Sequence, residues 1–363
     1  MRRYELMLIS ATGKALASTS AGFVPSTTGL ATFSSTVQQN GQIVNNPGAL
    51  NLEADIPIVG FALPQGGSFI RVSGVGLKTI GQSSNLNRNP ATGAPPATFI
   101  LSAGMLKGYP LANPAQFGII ASGQVSNAYG NWQGPEQSLD LTLRAQAVNP
   151  PDGISFTWQP GQNLSAALSQ ALSFAFPTEQ APVISILDGF IQSQSTQNVV
   201  GWYESLEQFA DYIKQLTVPL GKALSGNPSY PGVIVGIRSN APFATDATQS
   251  PKSIQLAFQD FIGQPTWIGP VTISFKCVLR ADIRLFDMVQ MPPDPGTGGS
   301  SIISSLALTQ QGAAVPGAPA RNSSVFKGSF LVNEIHHFMN SRSPDADSWA
   351  TAFTAVSVGS AGF

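Results

Sequence analysis

The run SLDLTLR, residues 138–144, sets Leu139, Leu141 and Leu143 against Asp140, Thr142 and Arg144 in strict alternation. A period of two puts the leucines on one face of a β-strand and the polar residues on the other. Such a strand has one face for a core and one face for water or a partner. The same pattern occurs upstream in SFIRVSGV (68–75), where Ile70 and Val72 stand opposite Arg71 and Ser73. Runs 56–62, 97–103 and 117–125 also read as strand. Clusters of Gly, Pro and Asn separate them, as in NLNRNPATGAPP (85–96). Several short strands with such punctuation predict a barrel or sandwich over residues 1–146.

The character changes over 147–229. A strand at 154–158 (ISFTW) leads to Asn163, placed as an N-cap. Leu164, Leu168, Ala171, Leu172 and Ala175 then follow at helical spacing, and Pro177 is the stop. A strand is expected at 183–187 and a second helix at 204–216. Ser205 and Gln208 fit a capping box there, and Leu206, Phe209, Ile213 and Leu216 share a face. From 230 the period of two returns. Val271, Ile273, Phe275, Cys277 and Leu279 fall on one face, and 330–338 and 349–356 read as extended. The Pro-, Gly- and Ser-rich stretch 292–324 is too long for an ordinary connection and reads as a functional or flexible loop. The expected class is therefore mainly β with an α/β insert, in three domains: 1–146, 147–229 and 230–363. The two outer domains are candidates for structural duplicates.

Composition narrows the function. The 363 residues include 18 basic and 19 acidic ones, a net charge of −1, with two histidines and one cysteine. Without clustered Lys and Arg the chain lacks the means for general affinity to nucleic acid or to anionic membrane surfaces. No stretch approaches the ~20 apolar residues of a membrane-spanning helix. At the N-terminus, MRRYELMLISATGKA is interrupted by Glu5, and its apolar part is too short for a secretion signal. The expectation is a soluble chain made in a cytoplasm. Cys277 stands alone and can form no intrachain disulfide. So few charges weaken self-repulsion and favour association, which points to an assembly part.

Candidate chemistry is sparse. His336 and His337 lie near Glu334, Asp345 and Asp347. On a strand, adjacent side chains point to opposite faces, so the two imidazoles do not converge on one ion, and an interface or structural role is expected. No G-x-S-x-G elbow is present, and Cys277 sits on the apolar side of its strand. The close carboxylate pairs, Glu53 with Asp55, Glu204 with Glu207 and Asp345 with Asp347, lie in polar segments where solvated acids are the default. In GGSFIRVSGVG (66–76) the glycines flank a strand and no helix is expected after it, so it does not read as a phosphate loop. No catalytic residue, metal or cofactor is assigned. Of the five tryptophans, most are expected to anchor cores. Trp132 and Trp267 lie beside Gly and Pro in turn-like contexts and are expected at interfaces, as are His336 and His337.

Three strings carry a family resemblance together: GMLKGYPLANPAQFGIIASGQVSNAYGNWQG (104–134), FIGQPTWIGPVTISFKCVLRADIRLFDMVQMP (261–292) and FLVNEIHHFMNSRSPDADSWATAF (330–353). With the helix LSAALSQALSFAFP (164–177) they resemble the baseplate hub proteins of contractile-tailed bacteriophages. The hub portion of type VI secretion spikes is a more distant likeness. The resemblance implies two β-barrel domains related to the tail-tube subunit, flanking the small α/β domain. It implies a homotrimer whose six barrels form a ring, adapting a threefold central spike to a sixfold tube. The implied partners are tube or tube-initiator subunits, the spike, tape-measure protein and baseplate wedge proteins, with genomic DNA passing only transiently. The implied place is the virion tail baseplate, assembled in the bacterial host cytoplasm. No lysozyme or peptidase module is visible, so no enzyme is expected. A tail-tube or tail-tip subunit and a virion-associated cell-wall hydrolase are the alternatives. A channel that passes DNA should be polar, with Lys and Arg balanced by Asp and Glu.

Overall fold

The computed structural model describes residues 2–9, 32–59, 67–87, 96–106, 113–144, 152–177, 181–190, 198–226, 230, 232–238, 241–246, 253–269, 272–292 and 329–358. In the first segment the strands are β1 (Arg2–Ile9), β2 (Phe33–Ser34), β3 (Thr36–Gln39), β4 (Gln42–Asn45), β5 (Asn51–Val59), β6 (Ser68–Ser73), β7 (Thr98–Met105), β8 (Gly118–Gln133) and β9 (Glu136–Arg144), with a short helix α1 (Leu77–Gln82). The middle segment holds β10 (Ile154–Trp158), α2 (Leu164–Ala175), β11 (Val183–Ser185), β12 (Val199–Tyr203), α3 (Leu206–Ser225), β13 (Ile234–Arg238) and β14 (Ala241–Thr245). The last segment contributes β15 (Ser253–Gln255), β16 (Thr266–Trp267), β17 (Thr272–Val278), β18 (Met288–Gln290), β19 (Ser329–Asn340) and β20 (Trp349–Val358). The protein is mainly β with a few helices. The stretch 293–324, most of the expected long loop, lies outside the described residues.

Leu139, Leu141 and Leu143 are buried, as their alternation requires. They face Val72, Ile70 and Ser68 of β6 across the ladder. The outer segments do not form separate sheets. One 13-stranded sheet runs β16-β17-β20-β19-β5-β6-β9-β8-β7-β1-β2, with β18 and β15 added beside β19. The join is the antiparallel pairing of β5 with β19, seven residue pairs from Glu334↔Val59 to Asn340↔Glu53. Beyond Asp55 no β6 partner continues among the described residues, so Pro57, which has no N–H to donate, sits where β19 is the only neighbour.

Packing crosses the join as well. The apolar row Trp349–Met339–Ala54–Ile70–Leu141–Ala128 steps through six strands, each residue opposite the next. Trp349, Met339, Leu279 and Ala281 belong to the last segment by sequence, yet they are buried in the first segment's core. The Trp349 indole Nε1 donates to the Gly104 carbonyl at 3.1 Å. The Arg2 guanidinium donates to the carbonyls of Asn340 (2.6 Å), Ser343 and Asp345 (2.7 Å), tying β1 to the turn after β19.

The middle segment has its own core, which includes Phe156, Leu168, Leu172, Phe209 and Ile213. Helix α2 starts where Asn163 accepts from the Ser165 amide at 3.0 Å. Helix α3 is capped by Ser205, which accepts from the Gln208 amide at 3.2 Å. It continues well past Leu216, where the apolar stripe was expected to end, and carries Pro219 inside it. Pro219 leaves one carbonyl of the preceding turn without its usual donor, but packing on the core outweighs that loss. Gly226 ends the helix in the left-handed region at φ 66°. The expected domain border at 229/230 falls before the hairpin β13–β14, which joins β11 in a three-stranded sheet. That hairpin has two apolar faces. Val233, Val235 and Ala244 point into the insert core, whereas Ile234 and Phe243 join the core of the last segment.

If the outer segments share one folding unit, truncating their common anchor should be felt by both. Trp349→Ala is expected to cost ~3–5 kcal/mol. Strands of the first and last segments should then lose structure in a single transition, read by denaturant titration with hydrogen exchange on both.

Candidate interaction surfaces

Directly paired residues of an antiparallel ladder project to the same face. The register therefore fixes what the sheet shows on the side away from its core. One row reads Asn340–Glu53–Arg71–Asp140–Tyr129 across β19, β5, β6, β9 and β8. The next reads Phe338–Asp55–Phe69–Thr142–Asn127 on the same strands. A third, Lys276–Ala352–His336–Pro57, extends the face across β20 and β17. The result is a broad polar surface interrupted by a few rings.

Two of its cations, Arg71 and Lys276, are paired within the face. Arg71 donates to both Asp140 oxygens, at 2.8 and 2.9 Å, and Asn131 adds a third bond at 2.7 Å. The Arg71 guanidinium, with smaller help from Asn131 and Ser138, holds the Asp140 carboxyl below the usual carboxylate range despite partial burial. Glu53 accepts from Asn340 at 3.1 Å and from Asn51 at 3.2 Å. Lys276 pairs with Asp347 at 3.2 Å. Each of these two cations thus has a carboxylate partner, and Asp55 and Glu334 add further negative charge.

The two histidines part company across the strand. His336 lies on the polar face, half-buried, with its Nε2 against an Asp55 oxygen and its ring 4.0 Å from that of Phe338. His337 faces the core beside Ile56 of β5 and is fully buried. Its Nδ1 lies 3.0 Å from the Thr351 hydroxyl. Burial, with the neighbouring His336 adding to it, pushes the His337 pKa down to about 3. His337 is therefore a neutral core residue, and only His336 presents itself outward.

Trp132 and Trp267 are also set apart, on strands with β9, β6, β5, β19, β20 and β17 between them in the sheet order. Trp132 is 64% exposed at the tip of the β8–β9 hairpin, its indole N–H turned back to the Gly134 carbonyl at 2.8 Å. Trp267 is half-buried against the last segment's core, its ring 6.1 Å from Phe330. Trp158 and Trp349 anchor cores, but Trp202 does not, being 64% exposed. It pairs with Ser155, and with Val200 it forms an open apolar face on the β10–β12 ribbon. Alternation in VVGWY could have flagged this, since Val200 and Trp202 share a parity opposite to Val199 and Tyr203. Tyr129 is likewise exposed on the polar face.

Among the described residues, no three His, Cys, Asp or Glu side chains converge as metal ligands, and no helix is long and apolar enough to cross a membrane. Cys277 is fully buried, and its thiol is pushed up to about 12 by that burial. It is held as the unreactive thiol.

No protein-family model matches the chain, and no curated protein matches it. Solved structures do. One is the Escherichia coli c3393 protein, described as a type VI secretion component structurally similar to the T4 tail proteins gp27 and gp5. It is 10% identical, with a TM-score of 0.46 over 86% of this chain and 74% of that one. A tail protein of Neisseria meningitidis MC58 is 8% identical, with a TM-score of 0.47 over 98% and 97%. The 43 kDa tail protein of prophage MuSo2 from Shewanella oneidensis is 8% identical, with a TM-score of 0.45 over 97% and 96%.

The burial of His337 makes a signed pH expectation. In the unfolded chain its imidazole takes a proton near pH 6.5, but in the folded one only near 3. Its contribution is therefore fully present above pH 6.5 and is lost as pH falls toward 3, at up to about 1.4 kcal/mol per pH unit. Urea midpoints from pH 7 to 4 should fall more steeply for the native chain than for His337→Leu. Parallel slopes would mean that the imidazole is not buried neutral.

Proposed function

We propose that this chain is a structural baseplate hub of a contractile phage tail. Three copies would form a pseudo-sixfold ring between a threefold central spike and a sixfold tail tube. The observation that carries the reading is the join of β5 to β19, which holds two strand-built segments in one sheet within one polypeptide. Each outer segment brings a core of its own to that sheet. Two linked blocks per chain, multiplied by closed threefold symmetry, give six positions from three molecules. The sequence resemblance to hub proteins supports the same reading, and so does the sparse charge, because closing such a ring hides large neutral surfaces.

In this arrangement the polar face built on β19, β5, β6, β9 and β8 lines the channel. Arg71 and Lys276 each have a carboxylate partner there. A wall whose cations, among the described residues, are paired with carboxylates offers little to hold phosphates, so DNA would pass without being retained. Exposed Trp132 and Trp202 are then contacts to neighbouring chains. The tube or its initiator, the spike, tape-measure protein and wedge proteins are the partners this role requires, in the virion baseplate and after assembly in the host cytoplasm. The role is mechanical and needs no catalysis.

Light scattering of the purified chain, alone and with the spike protein, tests the stoichiometry. Three chains are expected, and a plain hexamer would indicate a tube subunit instead. Peptidoglycan cleavage by the purified protein would replace the mechanical reading with a hydrolase. The channel assignment has its own test. The assembled native ring should show no salt-dependent binding of linear duplex DNA, whereas Asp55→Lys with Glu334→Lys should gain it. Tight binding by the native ring, or no gain in the variant, would remove this face from the channel wall.

A further inference from the structure

The ribbon of β10 and β12 is covered on one side. Ile154, Phe156 and Trp158 turn into the insert core. The ladder pairs Ser155 with Trp202 and Thr157 with Val200, so these four residues share the other side. Val200 and Trp202 are both largely exposed there. Single apolar residues scattered over a surface are ordinary, but these two are neighbours on one face of one strand. Trp202 is also held in place. Its indole Nε1 donates to the Asp152 carbonyl at 3.2 Å. Gly153, at φ 71°, leaves room for the ring, since a Cβ there would lie 2.8 Å from it. A large ring fixed before binding loses little side-chain freedom on contact, which suits an interface anchor.

The charge around this anchor sets the kind of surface it fits. Asp152, whose carbonyl holds the indole, is exposed, and so are Glu204, two residues after Trp202, and Glu207 in the first turn of α3. Lys214 and Lys222 come about two and about four turns further along that helix. Two such faces brought together would set carboxylate against carboxylate, so the ribbon is unsuited to pairing with its own counterpart. The surface it fits is apolar with a basic rim. Residues 1–146 hold eight basic and five acidic residues, 147–229 two and six, and 230–363 eight of each. The insert is thus the acidic segment of the chain and the first segment the basic one. In the first segment, α1 exposes Leu77 with Lys78 beside it. This helix lies directly on β8, where a Cβ on Gly130 would come within 2.6 Å of Ile80. Exposed Trp132 stands two residues further along β8. Glu136, at the same hairpin tip, is the acid of this neighbourhood, so its basic character comes from Lys78.

We propose that the outer face of the β10–β12 ribbon in one copy docks on α1 and the β8–β9 tip of a second copy. Val200 and Trp202 meet Leu77 and Trp132, and Glu204 and Glu207 meet Lys78. Different patches on the two copies make the contact heterologous, and such a contact closes into a ring or runs on as a filament. The assignment rests on the hub reading for closure at three copies, while the contact itself needs only a second copy.

Sedimentation equilibrium of the full chain over a dilution series, at low and high salt, tests the contact. Trp202→Ala is expected to weaken association at least about thirtyfold, as the loss of an interface anchor does. Should that variant not fold, Val200→Ser replaces it, with about a tenfold loss expected. Glu204→Lys with Glu207→Lys should weaken association at low salt and much less at high salt, where exposed charges are screened. Adding Lys78→Glu to that pair should restore most of the loss. A native trimer that Trp202→Ala and Val200→Ser leave intact overturns the contact and leaves the hub reading standing. A native hexamer that Trp202→Ala takes apart keeps the contact and removes the hub reading. A chain that stays monomeric throughout removes both. Weakening by the two lysines without rescue by Lys78→Glu overturns the pairing with α1.

Discussion

The ladder between β5 and β19 is the constraint on which the rest of the architecture depends. Residues 51–59 and 329–340 are far apart in the chain, yet they share seven main-chain pairs and a continuous apolar row. Closing such a distance costs entropy before any contact repays it. The repayment here is partly non-specific, in the buried apolar area around Met339 and Trp349, and partly directional. The Trp349 indole finds the Gly104 carbonyl, and the Ser341 hydroxyl accepts from the Leu52 amide at 3.0 Å. Main-chain pairing fixes register to the residue, because a slip of one would turn Asp55 inward and Ile56 outward. That register also determines which side chains line the polar face and which fill the core.

How much of this was legible in the sequence depended on how local the cause was. The leucines of 138–144, the caps at Asn163 and Ser205 and the alternation over 271–279 act within a few residues, and each yields the element it encodes. The N-terminal strand Arg2–Ile9 is not among the expected strand runs, because MRRYELMLISATGKA is weighed there only as a secretion signal. In the fold Arg3 and Glu5 pair with one another at 2.7 Å while buried, on the side of the sheet opposite Tyr4 and Leu6. Helix α3 runs past its expected end because the apolar face from Leu206 to Leu216 marks only part of its length, and the turns beyond it carry no such stripe. The join of β5 to β19 was invisible for a different reason. Nothing in PIVG or NEIHH names its partner, and strand pairing over such a separation is decided by the whole fold.

The candidate surfaces show the same division. Alternation correctly sends His336 and His337 to opposite faces, but cannot say that one meets Asp55 and the other Thr351. Turn context finds Trp132 on a hairpin tip. It says nothing of Trp202, which is exposed because, among the described residues, no layer covers that side of the β10–β12 ribbon. An unusually neutral chain with exposed tryptophans is costly to leave in water and inexpensive to bury against copies of itself. That is the physical case for an assembly part, and it does not depend on recognising any family.

Electron microscopy of the assembled particle viewed end-on tests the central claim most directly. Three molecules that each supply two linked β blocks should give averages with six lobes, alternating in shape so that only threefold symmetry holds on close alignment. Six identical lobes from six molecules, or a particle with any other number of chains, would contradict the account.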